Sequence, residues 1–304
     1  MTADIESVKT FFLALQGDLC TALEVLDGTA RFSLERLPQP GGGFGQPRVL
    51  QDGPAIEKAA VQFTHSVGES LPPAASERNP HLAGAPFQAT AISVIVHPRN
   101  PHAPTTHMNL RFFRVDADPP AWHFGGGFDL TPYYGFIEDC VHWHRTAAEA
   151  AGEHYAGMKQ ACDDYFHLGH RGESRGIGGL FFDDWRTGGF AASFALVKAV
   201  GAAFLPAYRP IFERRHGMAY GEAEREWQLA RRGRYAEFNL AIDRGTHYGL
   251  QSGRRIESVL ASLPPLVRWG YNQAPAAGTR EAELLSFYLQ PKDWLGLNRP
   301  EPPS

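Results

Sequence analysis

The sequence predicts an α+β fold: a large, mainly antiparallel sheet flanked by helices on both faces, in a single domain spanning residues 1–304. Three observations lead there. The strand-like segments cluster instead of alternating regularly with helices, which counts against a doubly wound parallel sheet. Two β-rich runs, FQATAISVIVHP (87–98) and THMNLRFFRV (106–115), are separated only by a Pro-rich connection, as in an antiparallel hairpin. No internal repeat, low-complexity tract or clear linker divides the chain, and 304 residues with 43% hydrophobic content suffice for a substantial core.

In chain order, apolar residues at helical spacing (Val8, Phe11, Phe12, Leu15, Leu19, Leu23, Leu26) predict a helix over 4–27 that stops at Gly28. ARFSLERL (30–37) reads as a strand and PQPGGGFGQP (38–47) as a loop, whose glycine run lacks the Gly-Lys-Ser/Thr ending of a phosphate loop. After the hairpin come helical patterns over 136–166 and 188–205, and a further helix in EAEREWQLARR. YAEFNLAID (235–243) reads as a strand with Glu237, Asn239 and Asp243 on one side. IESVLASL reads as a short helix, PLVRWGYN as a last strand and REAELLSFYL as a closing helix.

A net charge of −4 gives no electrostatic support to nucleic-acid binding. Cys20, Cys140 and Cys162 have no paired spacing, which points to a reduced, cytoplasmic protein. The amino terminus lacks a basic start followed by an apolar run, and no stretch is read as reaching membrane-spanning length, so no integral membrane segment is expected.

The hairpin carries the chemistry. In THMNLRFFRV one side holds His107, Asn109 and Arg111 while Met108, Leu110 and Phe112 face the other way. If the two strands pair, Ser93 and His97 share that polar surface. Buried polar groups of this kind need partners from the fold or from a ligand. Arg111, Arg175, Arg244, Arg254 and Arg255 fall on polar strand faces or beside glycines, as in SRGIGG, DRGT and SGRR. Jointly they suggest an anionic ligand with several carboxylates; taken singly, each is equally a surface ion pair. Asp243 precedes Arg244 and is either a buried ionised acceptor or, more plainly, the partner of Arg244 or the cap of the next turn, and Asp183 and Asp184 read as helix caps. Thirteen histidines invite a metal, yet HExxH and similar ligand spacings are absent. Dinucleotide, nucleophile-elbow and iron–sulfur motifs are absent too, so an enzyme here works without the usual organic cofactors.

WHFGGGFDLTPYY, RGIGGLFFDDW, RRGRYAEFNLAIDRGTHYGLQSG and RIESVLASLPPLVRW, taken together, resemble the oxygen-dependent coproporphyrinogen III oxidases, in a match from about residue 30 to about 295. The resemblance implies oxidative decarboxylation of the ring A and B propionates of coproporphyrinogen III to vinyl groups. The product is protoporphyrinogen IX, in haem biosynthesis, with molecular oxygen as co-substrate. It implies a cytosolic homodimer whose dimer-forming stretch maps to about 235–270. It also implies substrate contacts at Ser93, Asn109, Leu110, Arg111, Gly253, Arg254 and Arg255, a proton donor in His107, and a pair, Asp243 and Arg244, that holds the pyrrole N–H groups and a carboxylate. His97, His107, His144 and His170 match positions assigned to a divalent metal, with manganese a candidate. Arg254 stands where relatives often have Gly, and the helix between His144 and His170 is a few residues shorter than in some of them. The alternatives are a tetrapyrrole-binding protein without turnover and a hydrolase built on a His-bound metal.

Overall fold

The computed structural model describes residues 4–71, 82–118, 120–251 and 254–298. Helix α1 (Ile5–Asp27) starts at Asp4, whose carboxylate accepts from the Glu6 N–H, and stops at Gly28, whose φ of 86° returns its N–H to the Glu24 carbonyl. A seven-stranded sheet follows. Its strands are β1 (Leu37–Pro38), β2 (Phe44–Gln51), β3 (Ile56–Gly68), β4 (Phe87–Pro98), β5 (Thr105–Val115) and β6 (Ala121–Thr131), with β9 (Gly178–Trp185) at the far edge. All neighbours are antiparallel. Between β6 and β9 the chain forms α2 (Ile137–Ala151), α3 (Tyr155–Tyr165) and a small separate ribbon, β7 (His167–Leu168) with β8 (Glu173–Ser174). Helices α4 (Gly189–Arg215), α5 (Glu222–Ala241), α6 (Arg244–Gln251), α7 (Ile256–Val259) and α8 (Arg280–Glu283) complete the fold.

Residues directly paired across antiparallel strands project to the same side, so the registers sort the sheet into two faces. One face joins Val61, Phe63, Ile92, Val94, Met108, Leu110, Phe112, Phe124 and Phe128 into the main core under α1, α2 and α4. On the other face Tyr235 of α5 and Ala261, just after α7, pack against Ala60 and Ile95, and Phe238 of α5 joins Cys162 and Phe166. Helices therefore cover both faces, as expected, and the hairpin has the expected strands and sidedness.

Five local expectations fail for identifiable reasons. YAEFNLAID is the end of α5, not a strand. Its buried positions, Gln228, Arg231, Arg232, Tyr235 and Asn239, keep helical spacing, but several are polar and leave no apolar stripe to read. Of the predicted first strand, 30–37, only Leu37 pairs, together with Pro38 of the presumed loop: Ser33 and Glu35 donate to the Val49 and Pro47 carbonyls, and Pro47 has no N–H with which to return the bond. The presumed loop 38–47 already contains the start of β2. PLVRWGYN joins no sheet; its Arg268 N–H donates to the Leu229 carbonyl, and the chain lies against the bare face of Gly233, where a Cβ would meet the Arg268 oxygen at 2.6 Å. Helix α4 is also long and apolar enough to cross a membrane, contrary to the sequence reading, but Val197, Val200, Phe204, Ala207 and Phe212 on it are buried in the core.

Candidate active site

The second face of the sheet is a floor of small and polar side chains that the helices only partly cover. Thr64 on β3, Ala89, Ala91 and Ser93 on β4, and His107, Asn109 and Arg111 on β5 are all half-buried, whereas the residues between them on the same strands are buried. Register brings them together: Ser93 pairs with Asn109 and Ala91 with Arg111. On β6, Asn109 and Arg111 face Gly127 and Gly125. Gly125 gives the Arg111 guanidinium room to lie flat, because a Cβ there would sit 2.7 Å from it. Gly127, with φ of 143°, passes so close to β9 that a Cβ would meet the Leu180 carbonyl at 1.9 Å.

Two clusters hold this floor. In the first, Asp129 on β6 accepts from His107 Nδ1 at 2.9 Å, and Arg175 Nη2 donates to both of its oxygens at 2.7 Å. Arg175 also donates to Asn239 at 3.1 Å and lies over the rings of Phe166, Tyr235 and Phe238. Burial alone would raise the Asp129 carboxyl, but the charge of Arg175 and the bond from His107 outweigh it and hold it below the usual range. An ionised carboxylate only accepts, so His107 carries its proton on Nδ1, and its Nε2 has no partner among the described residues. Arg175, one of the arginines suggested for ligand binding, is thus engaged inside the protein.

In the second cluster, Asp183 bridges two arginines. Arg111 Nη2 donates to Oδ1 at 2.7 Å and Arg244 Nη2 to Oδ2 at 3.3 Å. Asp183 is on β9 and caps no helix; α4 begins only at Gly189. Next to it, Asp243 caps α6 by accepting from Thr246 N and Oγ1 at 2.7 and 2.8 Å, while its Oδ1 accepts from Tyr165 at 2.9 Å. Against the cost of burial these bonds depress the Asp243 carboxyl, so it is an ionised acceptor as well as a cap. Arg244 lies over the Tyr165 ring.

The remaining predicted residues are more scattered. Arg254 reaches the same floor from the opposite side, donating to Ser66 on β3 at 3.0 Å. Arg255 is paired with Glu35. Leu110 points into the core, away from the floor, and Gly253 lies outside the described residues.

The four histidines suggested as metal ligands do not come together. Fully buried His97 donates from Nε2 to the Ser262 carbonyl, and its Nδ1 accepts from Thr105. Fully buried His144 likewise donates to the Ile177 carbonyl and accepts from Tyr155. Neither ring keeps a lone pair for a metal, and His170 is paired with Glu237 at the surface. Among the described residues the one grouping of metal-ligand type is His123, Asp183 and Asp184, with ligand atoms within 4.8 Å of one another, and Asp183 in it is already held by two arginines.

Of the residues on this floor and in its two clusters, sequence reasoning named Ser93, His107, Asn109, Arg111, Asp243 and Arg244, but it read Asp183 only as a helix cap and gave no role to Asp129. For Asp129 a signal existed: it follows FGGGF, a strand whose glycines admit close neighbours. A family model described as coproporphyrinogen III oxidase matches residues 7–294.

Proposed function

The chain belongs to the coproporphyrinogen III oxidase family of haem biosynthesis, whose substrate is coproporphyrinogen III, and from that premise we propose that it catalyses the oxygen-dependent reaction. The observation that carries this reading is the half-open polar floor with cations on opposite sides, Arg111 and Arg244 at one and Arg254 at the other. Strands β3 and β5 are separated by two strand spacings, about 10 Å, a span suited to a flat macrocycle with carboxylates on its rim. Small side chains at Ala89, Ala91 and Ser93 let a ring system lie against the sheet.

Each propionate loses carbon dioxide and two electrons, and oxygen takes these up with the β-hydrogen and one proton, leaving hydrogen peroxide and a vinyl group. Electron-rich pyrroles react with oxygen directly, so the protein's tasks are orientation and proton management. Asp243 accepts a pyrrole N–H, and the resulting gain in electron density promotes attack of oxygen on the ring. Arg111 and Arg244 hold a propionate. His107, oriented through Nδ1 by Asp129, takes up a proton from solvent at Nε2 and passes it to the departing peroxide. No step runs through a metal, because the residues offered for one do not fit it. A homodimer through 235–270, in the cytoplasm, belongs to the same proposal; exposed Leu240, Tyr248, Leu250, Ile256, Leu266 and Trp269 support the contact.

The test is an assay of chelator-treated protein with coproporphyrinogen III, with and without oxygen, following vinyl product by chromatography. Product that requires oxygen and no added metal is expected. Product formed without oxygen would overturn the reading, and binding without any product would favour a tetrapyrrole carrier.

A further inference from the structure

Asp183 belongs to none of the tasks above, yet it occupies both arginines of the propionate site. Its two oxygens take one guanidinium each, from β5 and from α6, as the carboxylate of a bound ligand would. We propose that Asp183 is a resident carboxylate, a specificity-determining residue that fills the Arg111–Arg244 pair until a substrate carboxylate displaces it. The proposal rests on reading the floor as a tetrapyrrole site.

Three features allow the exchange. The arginines do not depend on Asp183 for their seats: Arg111 lies on Gly125 and faces the Phe181 ring, and Arg244 lies over Tyr165. Asp183 hangs from the edge strand of the sheet, outside the core, with a third of its side chain in water, so it can turn out without opening packed structure. The exchange also preserves charge. Two neighbouring guanidinium groups without an anion between them repel each other, and Asp183 supplies that anion while the site is free of ligand. The consequence is selectivity. A ligand must offer a carboxylate at this point to compete, and a ligand that offers a vinyl group instead leaves the arginines to Asp183.

Fluorescence titration with coproporphyrin III, the stable oxidised tetracarboxylate, tests this on the full chain. Asp183→Asn should bind it about two- to fivefold more tightly, the return of a half-exposed ion pair. The gain should shrink in high salt and vanish in the double variant with Arg111→Ala. KM for coproporphyrinogen III should fall in step. Arg111→Ala alone should weaken binding; if it does not, the site reading itself fails. If it does, while Asp183→Asn binds no better than the unmodified protein, Asp183 is a strut for the arginines and the proposal is wrong. An Asp183→Asn chain that fails to fold overturns it equally, because a carboxylate that yields to substrate must be dispensable to the fold.

Discussion

Leu110 and Arg111 are consecutive residues of β5, and they serve opposite faces of one sheet. Leu110 joins an apolar wall that runs unbroken from α1 to α4. Arg111 lies on a floor where the helices leave the strands half open and where Arg111, Arg175 and Arg244 each answer to a carboxylate from a distant segment. The apolar face is held by non-directional burial summed over many side chains, so its contribution is large and tolerant of local change. The polar face is held by a few directional bonds, and there the loss of one partner strands the other.

Within the polar face the stranding is most severe at Asp129. Asp129→Ala leaves Arg175 buried without its anion and should cost about 3–5 kcal/mol, read as a lower urea midpoint. A cost below that of an ordinary surface change would mean that the floor is not held by this pair. The neighbours on β5 then separate the two faces. Leu110→Ala should cost about 2–5 kcal/mol of stability and leave kcat/KM of the folded fraction near that of the unmodified chain. Arg111→Ala should change stability by no more than about 1 kcal/mol but lower kcat/KM by about 100-fold, ~2.7 kcal/mol of lost charged contact. Equal effects on stability and on catalysis from both changes would erase the distinction.

The smallest effect over the accessible pH range is titration behind the apolar wall, where burial pushes the His144 imidazole down to about 3. That lies below the unfolded value near ~6.5, so the unfolded chain takes the proton first. Stability should be complete above that pH and fall as pH drops toward about 3, by about 1.4 kcal/mol for each unit. His97, lowered in the same sense by burial, steepens the slope. Thermal melting from pH 7.5 to 5.5, roughly the upper part of that window, measures it, and His144→Phe should flatten the curve.

The two faces also differed in how legible they were. The apolar face announces itself: α1 and the β4–β5 hairpin follow from period and alternation, because burial there selects Leu, Phe, Ile and Val. The polar face announces only the residues that share a strand. His107, Asn109 and Arg111 were visible as one side of β5, but Asp129, Arg175, Asp183 and Asn239 come from four other segments, and only the fold brings them within bonding distance. The misreading of Tyr235–Asp243 has the same origin. A helix that buries Gln228, Arg231 and Arg232 toward a polar network shows no apolar stripe.

The strand order has a consequence for a nascent chain. Strands β1 to β6 pair in the order in which they emerge during translation, but β6 waits for β9 until α2, α3 and the small ribbon have been made. A chain that has emerged only as far as Thr131 therefore holds Ser93, Asn109 and Arg111 in register while the outer edge of β6 offers unpaired N–H and C=O groups to any passing strand. The partner of Arg111 arrives with β9, so the half-made sheet carries an unanswered cation beside its open edge. Like charges at that place discourage two ribosome-bound copies from pairing edge to edge before the sheet is complete.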